Sequence, residues 1–247
     1  MMRGSSSDAS DLVIKLLDVS VELEGKQVLK DVSLELGRGV HVILGANGSG
    51  KTTLLKTIAG LIKPASGKVL VFGREVSTLS RREASRLIGY CWQNPLYGFF
   101  EETVEREVRF ILENLGVSGE WSFVSTLGVE ELMDRSPFSL SGGEAKRVSI
   151  ASVIVADQPV LLLDEPFEGL DYRGVKSLVG LVERFRLHGK TVLLATHNPL
   201  IADKLKPDTY TILHEGMVKA HGSWPVSDEI LEQLDITPRR WWLAVTA

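Results

Sequence analysis

The chain has 247 residues, of which 44% are hydrophobic and 24% charged, with a formal net charge of −4 and one cysteine, Cys91. These values fit a globular protein built on one large domain or a domain with a subdomain, exclude an internal disulfide, and argue against a dedicated nucleic-acid binder, which carries a basic excess. The longest apolar runs fall far short of the ~18 residues of a membrane span, so work at a membrane requires a partner that supplies one. Residues 1–11, MMRGSSSDASD, have no apolar h-region and are expected to form a flexible leader rather than a signal peptide. Residues 12–36 read as strands with partial alternation around a turn at Glu24-Gly25-Lys26, an antiparallel edge sheet. Val40–Leu44, Val160–Leu163 and Val192–Ala195 are apolar without alternation, the pattern of parallel strands covered on both faces. Each ends in glycine or polar residues (Gly45, Asp164-Glu165, Thr196-His197), and open α/β sheets bind ligands off the carboxyl ends of their strands. Between Ser80 and Ala156 the spacing becomes helical, which predicts a mostly helical insertion into the α/β core. Residues 209–220 predict a hairpin turning at Glu215-Gly216. In the tail that follows, Trp224, Trp241 and Trp242 are expected to pack.

Three segments carry chemistry. Gly45-Ala46-Asn47-Gly48-Ser49-Gly50-Lys51-Thr52, followed by Thr53, has the spacing G-x-x-x-x-G-K-[ST] directly after an apolar strand. Glycines let successive N–H groups turn inward around phosphate oxygens, and the positive end of the next helix points at them. Lys51 offers a cation to the β and γ phosphates, and the Thr52 hydroxyl can ligate Mg²⁺. Leu54, Leu55, Ile58 and Leu61 are expected on one side of that helix. The strand Val160–Asp164 delivers two carboxylates. Asp164 suits a metal shell, and Glu165 suits a general base for an attacking water. Neighbouring residues of a regular strand face opposite ways, so the two are expected to hold different roles. Ser141 and Glu144 have capping-box spacing at the start of a helix. Taken singly, Gln93 is an ordinary loop residue and His197 an ordinary core histidine.

Their order along the chain changes that weight. GANGSGKT, Gln93, Leu140-Ser141-Gly142-Gly143-Glu144, LLLDEP, Gly169-Leu170-Asp171 and His197 resemble, in sequence and spacing, the motifs of ABC ATPases over roughly residues 12–222. The resemblance implies a P-loop NTPase core with a mostly parallel sheet, an N-terminal antiparallel β subdomain and an inserted α-helical subdomain. Residues 12–85 and 157–222 then form the core, 86–156 the helical subdomain and 223–247 a short C-terminal tail. It also implies an ATPase that uses ATP and Mg²⁺, with the nucleotide held between two subunits as a homo- or heterodimer. Lys51 and the loop from Gly45 to Thr53 would face the other subunit's Ser141, Gly142, Gly143 and Glu144. Thr52, Gln93 and Asp164 would hold Mg²⁺, and Glu165 would activate water. His197 would reach the γ-phosphate, and Asp171 would act across the interface. The sequence departs from the family in two places: Leu23 stands where an aromatic stacks on adenine, and Glu168 stands where a small residue is usual.

Around the Q-loop, Trp92-Gln93-Asn94-Pro95, Phe99-Phe100, the Thr103–Val108 stretch and Asn114-Leu115-Gly116 are similar to energy-coupling-factor and cobalt/nickel-type importer ATPases. That similarity implies a cytoplasmic protein, peripheral on the inner face of the cell membrane, that energises import of a metal ion or vitamin. Its partner would be an integral membrane transport subunit, with no nucleic acid involved. The alternative is a soluble ABC ATPase of iron–sulfur cluster assembly. A DNA-repair ABC ATPase needs a long coiled-coil insertion between Gln93 and Ser141, which the 48 positions separating them do not contain.

Overall fold

The computed structural model describes residues 12–245; the leader expected over 1–11 lies outside the described residues. Strands β1 (Leu12–Leu23) and β2 (Lys26–Gly37) pair antiparallel across a two-residue turn, Glu24-Gly25, with φ of 51° and 75°. Positive φ at both central residues gives a turn whose twist matches the strands it joins. β3 (Gly39–Leu44) leads into α1 (Lys51–Ile58), after which β4 (Ser66–Val71) and β5 (Arg74–Glu75) complete a four-stranded sheet in the order β2-β1-β4-β5. α2 (Arg81–Leu87), β6 (Ile88–Cys91), α3 (Val104–Leu115), α4 (Trp121–Thr126) and α5 (Gly142–Ile154) follow. Next come β7 (Val160–Asp164), α6 (Tyr172–Leu187), β8 (Thr191–Thr196) and α7 (Pro199–Leu205). The hairpin of β9 (Thr209–His214) and β10 (Met217–Ser223) precedes α8 (Asp228–Gln233) and α9 (Arg239–Val245).

The second sheet runs β10-β9-β3-β8-β7-β6, parallel except for the β9–β10 hairpin. Its middle strands β3, β7 and β8 are buried almost end to end, as their uninterrupted apolar runs predict. Alternation still sorts the side chains by face. Ile43, Leu162, Leu193 and Ala195 pack with α1 and the four-stranded sheet, whereas Val42, Leu44, Leu161, Leu163 and Leu194 pack with the helices on the other side. The carboxyl ends of β3, β7 and β8 are thereby fixed side by side from both faces.

Three expectations need correction. The stretch read as helical over 86–156 opens with a strand: β6 pairs in parallel with β7, from Ile88 beside Val160 to Cys91 beside Leu163. Four residues are too few for a period to show, and the pairing with β7 decides the conformation. The short C-terminal segment carries two short helices, α8 and α9. Arg239 anchors them through Asp203 at 2.8 Å and Asp228 at 3.1 Å, with its guanidinium over the Trp224 ring. Trp224 is packed as expected, but Trp241 is 52% exposed, as is Leu61 at 41% beyond the end of α1.

Candidate nucleotide site

The loop from Gly45 to Gly50 turns between β3 and α1 in a conformation that side chains would block. A Cβ on Gly45 would meet the Leu213 carbonyl and the Ser49 hydroxyl, and Gly48 and Gly50 have φ of 79° and 107°. Ser49 N–H donates to the Ala46 carbonyl (3.2 Å), and Gly216 N–H, in the β9–β10 turn, donates to the Ser49 carbonyl (3.1 Å). Helix α1 begins behind Gly50 with no side-chain cap, so its first N–H groups are left for a ligand. Lys51, with little surface exposed, folds back to donate to the carbonyls of Gly45 (2.8 Å) and Ala46 (3.2 Å). The buried Ser49 hydroxyl has no hydrogen-bond partner among the described residues. Thr53 gives its carbonyl to the Thr57 hydroxyl inside α1.

β7 brings the carboxylates to this loop. Asp164 is fully buried, and its Oδ2 accepts from the Tyr90 hydroxyl at 3.3 Å. Burial raises its pKa, opposed by hydrogen bonds from Thr52 and Tyr90. Its Oδ1 is buried and has no hydrogen-bond partner among the described residues. The strand does not continue regularly through Glu165, which turns to φ 42° while its N–H donates to the Ala195 carbonyl on β8. That left-handed residue replaces the opposite-face placement expected of an unbroken strand. Both carboxylates reach the loop, Asp164 beside Thr52 and Glu165 Oε1 3.9 Å from Lys51 Nζ. Glu165 Oε1 also lies 2.9 Å from His197 Nδ1, just past β8. Burial lowers the Lys51 pKa, and Glu165 and Asp164 partly counter it.

The remaining expected residues divide. Gln93 lines a cavity of about 470 Å³ with Thr52, Asp164, Lys146 and Gly142, and its amide donates to Glu168 Oε2 at 3.3 Å. Ser141 caps α5 in a full capping box with Glu144, whose other oxygen accepts from Arg135 at 2.9 Å. Ser141 and Gly142 are exposed, and Gly143 packs so closely on the Gly169 carbonyl that a Cβ would lie 3.1 Å from it. Asp171 caps α6 through the Gly174 N–H (2.8 Å). Leu23 ends β1, 38% exposed, and is not among the residues lining that cavity. Lys51, Thr52, Asp164, Glu165 and His197 therefore converge within the chain, and Gln93 shares a cavity with Thr52 and Asp164. Gly142, at the exposed α5 start, borders the same cavity.

Sequence reasoning missed Tyr90, which holds Asp164, and Lys146, whose ammonium donates to the carbonyls of Gln93 and Glu165. Lys146 had a signal. It stands one turn before Ile150 and two before Ile154 on the apolar stripe of α5, where a charge has to find partners. Cys91 has none of this character: burial pushes its thiol up to about 12.

The donor set fits Mg²⁺, which takes hard oxygen ligands and keeps several from water and phosphate. The unpartnered Asp164 Oδ1 and the adjacent Thr52 hydroxyl are such oxygens.

Residues 29–168 match the family model for the ABC transporter. The chain is 42% identical over 206 residues to a Pyrococcus furiosus protein provisionally named an ABC transporter ATP-binding protein, covering 81% of this chain and 78% of that one. It is 36% identical over 233 residues to the energy-coupling factor transporter ATP-binding protein EcfA1 of Methanospirillum hungatei, covering 91% and 83%. Among solved structures it resembles cbiO1 of Clostridium perfringens, part of the ABC transporter complex cbiONQ. That match has a TM-score of 0.69 and 31% identity over 86% of this chain and 89% of that one. With the phosphate loop, the paired carboxylates and the capped α5 start in one framework, the chain belongs to the ABC transporter family, as one of its ATP-binding ATPase subunits.

Proposed function

We propose that the chain binds MgATP on the Gly45–Thr53 loop and hydrolyses it at an interface shared with a second ATPase subunit, thereby driving a membrane transport subunit. The observation that carries this reading is the convergence of Lys51, Asp164, Glu165 and His197 from three strand ends on one uncapped helix start. The free N–H groups of the loop bind the β and γ phosphates, and Lys51 exchanges its two carbonyl partners for phosphate oxygens. Asp164 Oδ1 and Thr52 would hold Mg²⁺, which would neutralise phosphate charge. The carboxylate of Glu165, steadied by His197 Nδ1, accepts a proton as water attacks the γ-phosphorus and the bond to the ADP oxygen breaks. The other ring nitrogen of His197 is left for the γ-phosphate. Gln93 orients the water once its amide leaves Glu168. Ser141, Gly142 and Gly143 of each subunit close on the partner's phosphates, beside Glu144 and Asp171. Leu23 offers the base an apolar contact.

A neighbouring groove of about 490 Å³, lined in part by Leu61, Trp92, Phe100 and Phe110, suits the membrane subunit. Exposed Leu96 and Tyr97 lie next to it in sequence, and such clustered apolar surface marks a docking site. Among the described residues no helix is long and apolar enough to cross a membrane, so that subunit would supply the passage. Similarity to an energy-coupling factor ATPase and to cbiO1 favours import of a metal ion or vitamin from the inner face of the membrane. Affinity purification from native membranes tests this. An integral membrane subunit and MgATP hydrolysis should copurify with the chain, and recovery with soluble proteins alone would contradict the transport reading.

A further inference from the structure

Lys146 is among the most buried charged residues described, at 3% exposure on the second turn of α5. Its ammonium donates to the carbonyl of Gln93, just beyond β6, and to the carbonyl of Glu165 at 3.3 Å, just beyond β7. No carboxylate forms an ion pair with it among the described residues. Burial lowers its pKa, while Cys91, Glu168, Asp164 and Glu165 counter the shift from around it. A buried cation without a close counter-ion is costly to keep. Lys190 is instructive beside it. That lysine is also buried, and it also donates to two carbonyls, those of Asp157 and Gln158, each at 2.7 Å. It differs in having the Asp157 carboxylate at 2.9 Å, and its carbonyl partners belong to no candidate site residue. The charge of Lys190 is matched locally, whereas that of Lys146 is spent on the backbone of the two residues assigned to the attacking water.

We propose that Lys146 is a positioning residue for hydrolysis, fixing the main chain of Gln93 and Glu165 against α5 so that both side chains address the phosphate loop. This rests on the hydrolytic reading above. It also ties the helix that opens with Ser141 to both sides of the water site, so a shift of α5 is felt where the proton moves. A misplacement near 1 Å at a catalytic group can cost about 10²-fold in rate without touching binding.

The test compares Lys146→Met, which keeps the length and loses the donor, with Lys146→Arg, which keeps the donors, and with Lys190→Met as a control. Each is measured for ATP affinity, KM, kcat and thermal unfolding alongside wild type. K146M should hold ATP affinity and KM within about twofold and lose at least about tenfold in kcat. K146R should recover to within about threefold of wild type, and K190M should shift the melt while leaving kcat unchanged. Equal loss of kcat and ATP affinity in K146M, or kcat within twofold of wild type, would overturn the proposal. Should K146M not fold, K146R decides: retained kcat supports the tie, and lost kcat with intact ATP binding contradicts it. Absence of ATPase activity in wild type would instead remove the hydrolytic reading beneath the proposal.

Discussion

Helix α1 begins behind Gly50, which brings no side chain to its first N–H groups, whereas α5 begins behind Ser141, whose hydroxyl accepts from Glu144 N–H while Glu144 accepts from Ser141 N–H. Both starts are rich in glycine, and both leave their first N–H groups without intrahelical acceptors. Around α1 the chain assembles Lys51, Thr52, Asp164, Glu165 and His197. Around the start of α5 it assembles the cap, Arg135 and the Gly169 carbonyl against Gly143, with Ser141 and Gly142 left exposed. The first is a site the chain builds within itself. The second caps itself, and under the proposed function its exposed residues meet phosphates brought by another subunit.

The sharpest way to break the chemistry at the α1 end is Glu165→Gln, which keeps the shape and removes the base. Turnover should fall about 10²–10⁴-fold with ATP still bound, leaving an ATP-loaded dimer in gel filtration. Hydrolysis within twofold of wild type would show that Glu165 holds no proton in the reaction. Next in size is Lys51→Ala. A hydrogen bond to a charged group is worth about 1.5–3 kcal/mol, so ATP affinity should fall roughly tenfold to a hundredfold. Calorimetry returning the wild-type affinity would detach the loop from the phosphates.

How much of this was legible depended on whether the signal was local. The Gly45–Thr52 spacing, the apolar runs of β3, β7 and β8, and the two hairpin turns at Glu24-Gly25 and Glu215-Gly216 are set by near neighbours, and each stands where it was read. β6 was hidden because four residues show no period and its pairing comes from β7. The left-handed turn at Glu165 was hidden because it is fixed by the Ala195 carbonyl from β8. Tyr90 and Lys146 act through partners distant in sequence, Asp164 for one and Gln93 with Glu165 for the other. The lysine on an apolar helical stripe was the only trace of either.

A smaller effect probes the base, which phosphate contacts cannot read. Leu23 gives apolar surface without an aromatic face, and base–aromatic stacking is worth about 1–3 kcal/mol in nucleic-acid complexes. Leu23→Tyr should tighten ATP by about 1 kcal/mol, and wild type should bind ATP and GTP within about tenfold of each other. A strong ATP preference with no gain from the tyrosine would move the base contact to another residue.

The claim that the α5 start completes another subunit's site is tested most directly by Ser141→Arg, with ATP binding and hydrolysis measured on the same sample. Losing the cap costs about 1 kcal/mol of helix stability, which the melting curve will register. The account predicts monomer ATP affinity within twofold of wild type and hydrolysis abolished, because the new side chain fills the position a partner's phosphate needs. Wild-type hydrolysis by that variant would contradict it, showing that a single chain completes the site alone.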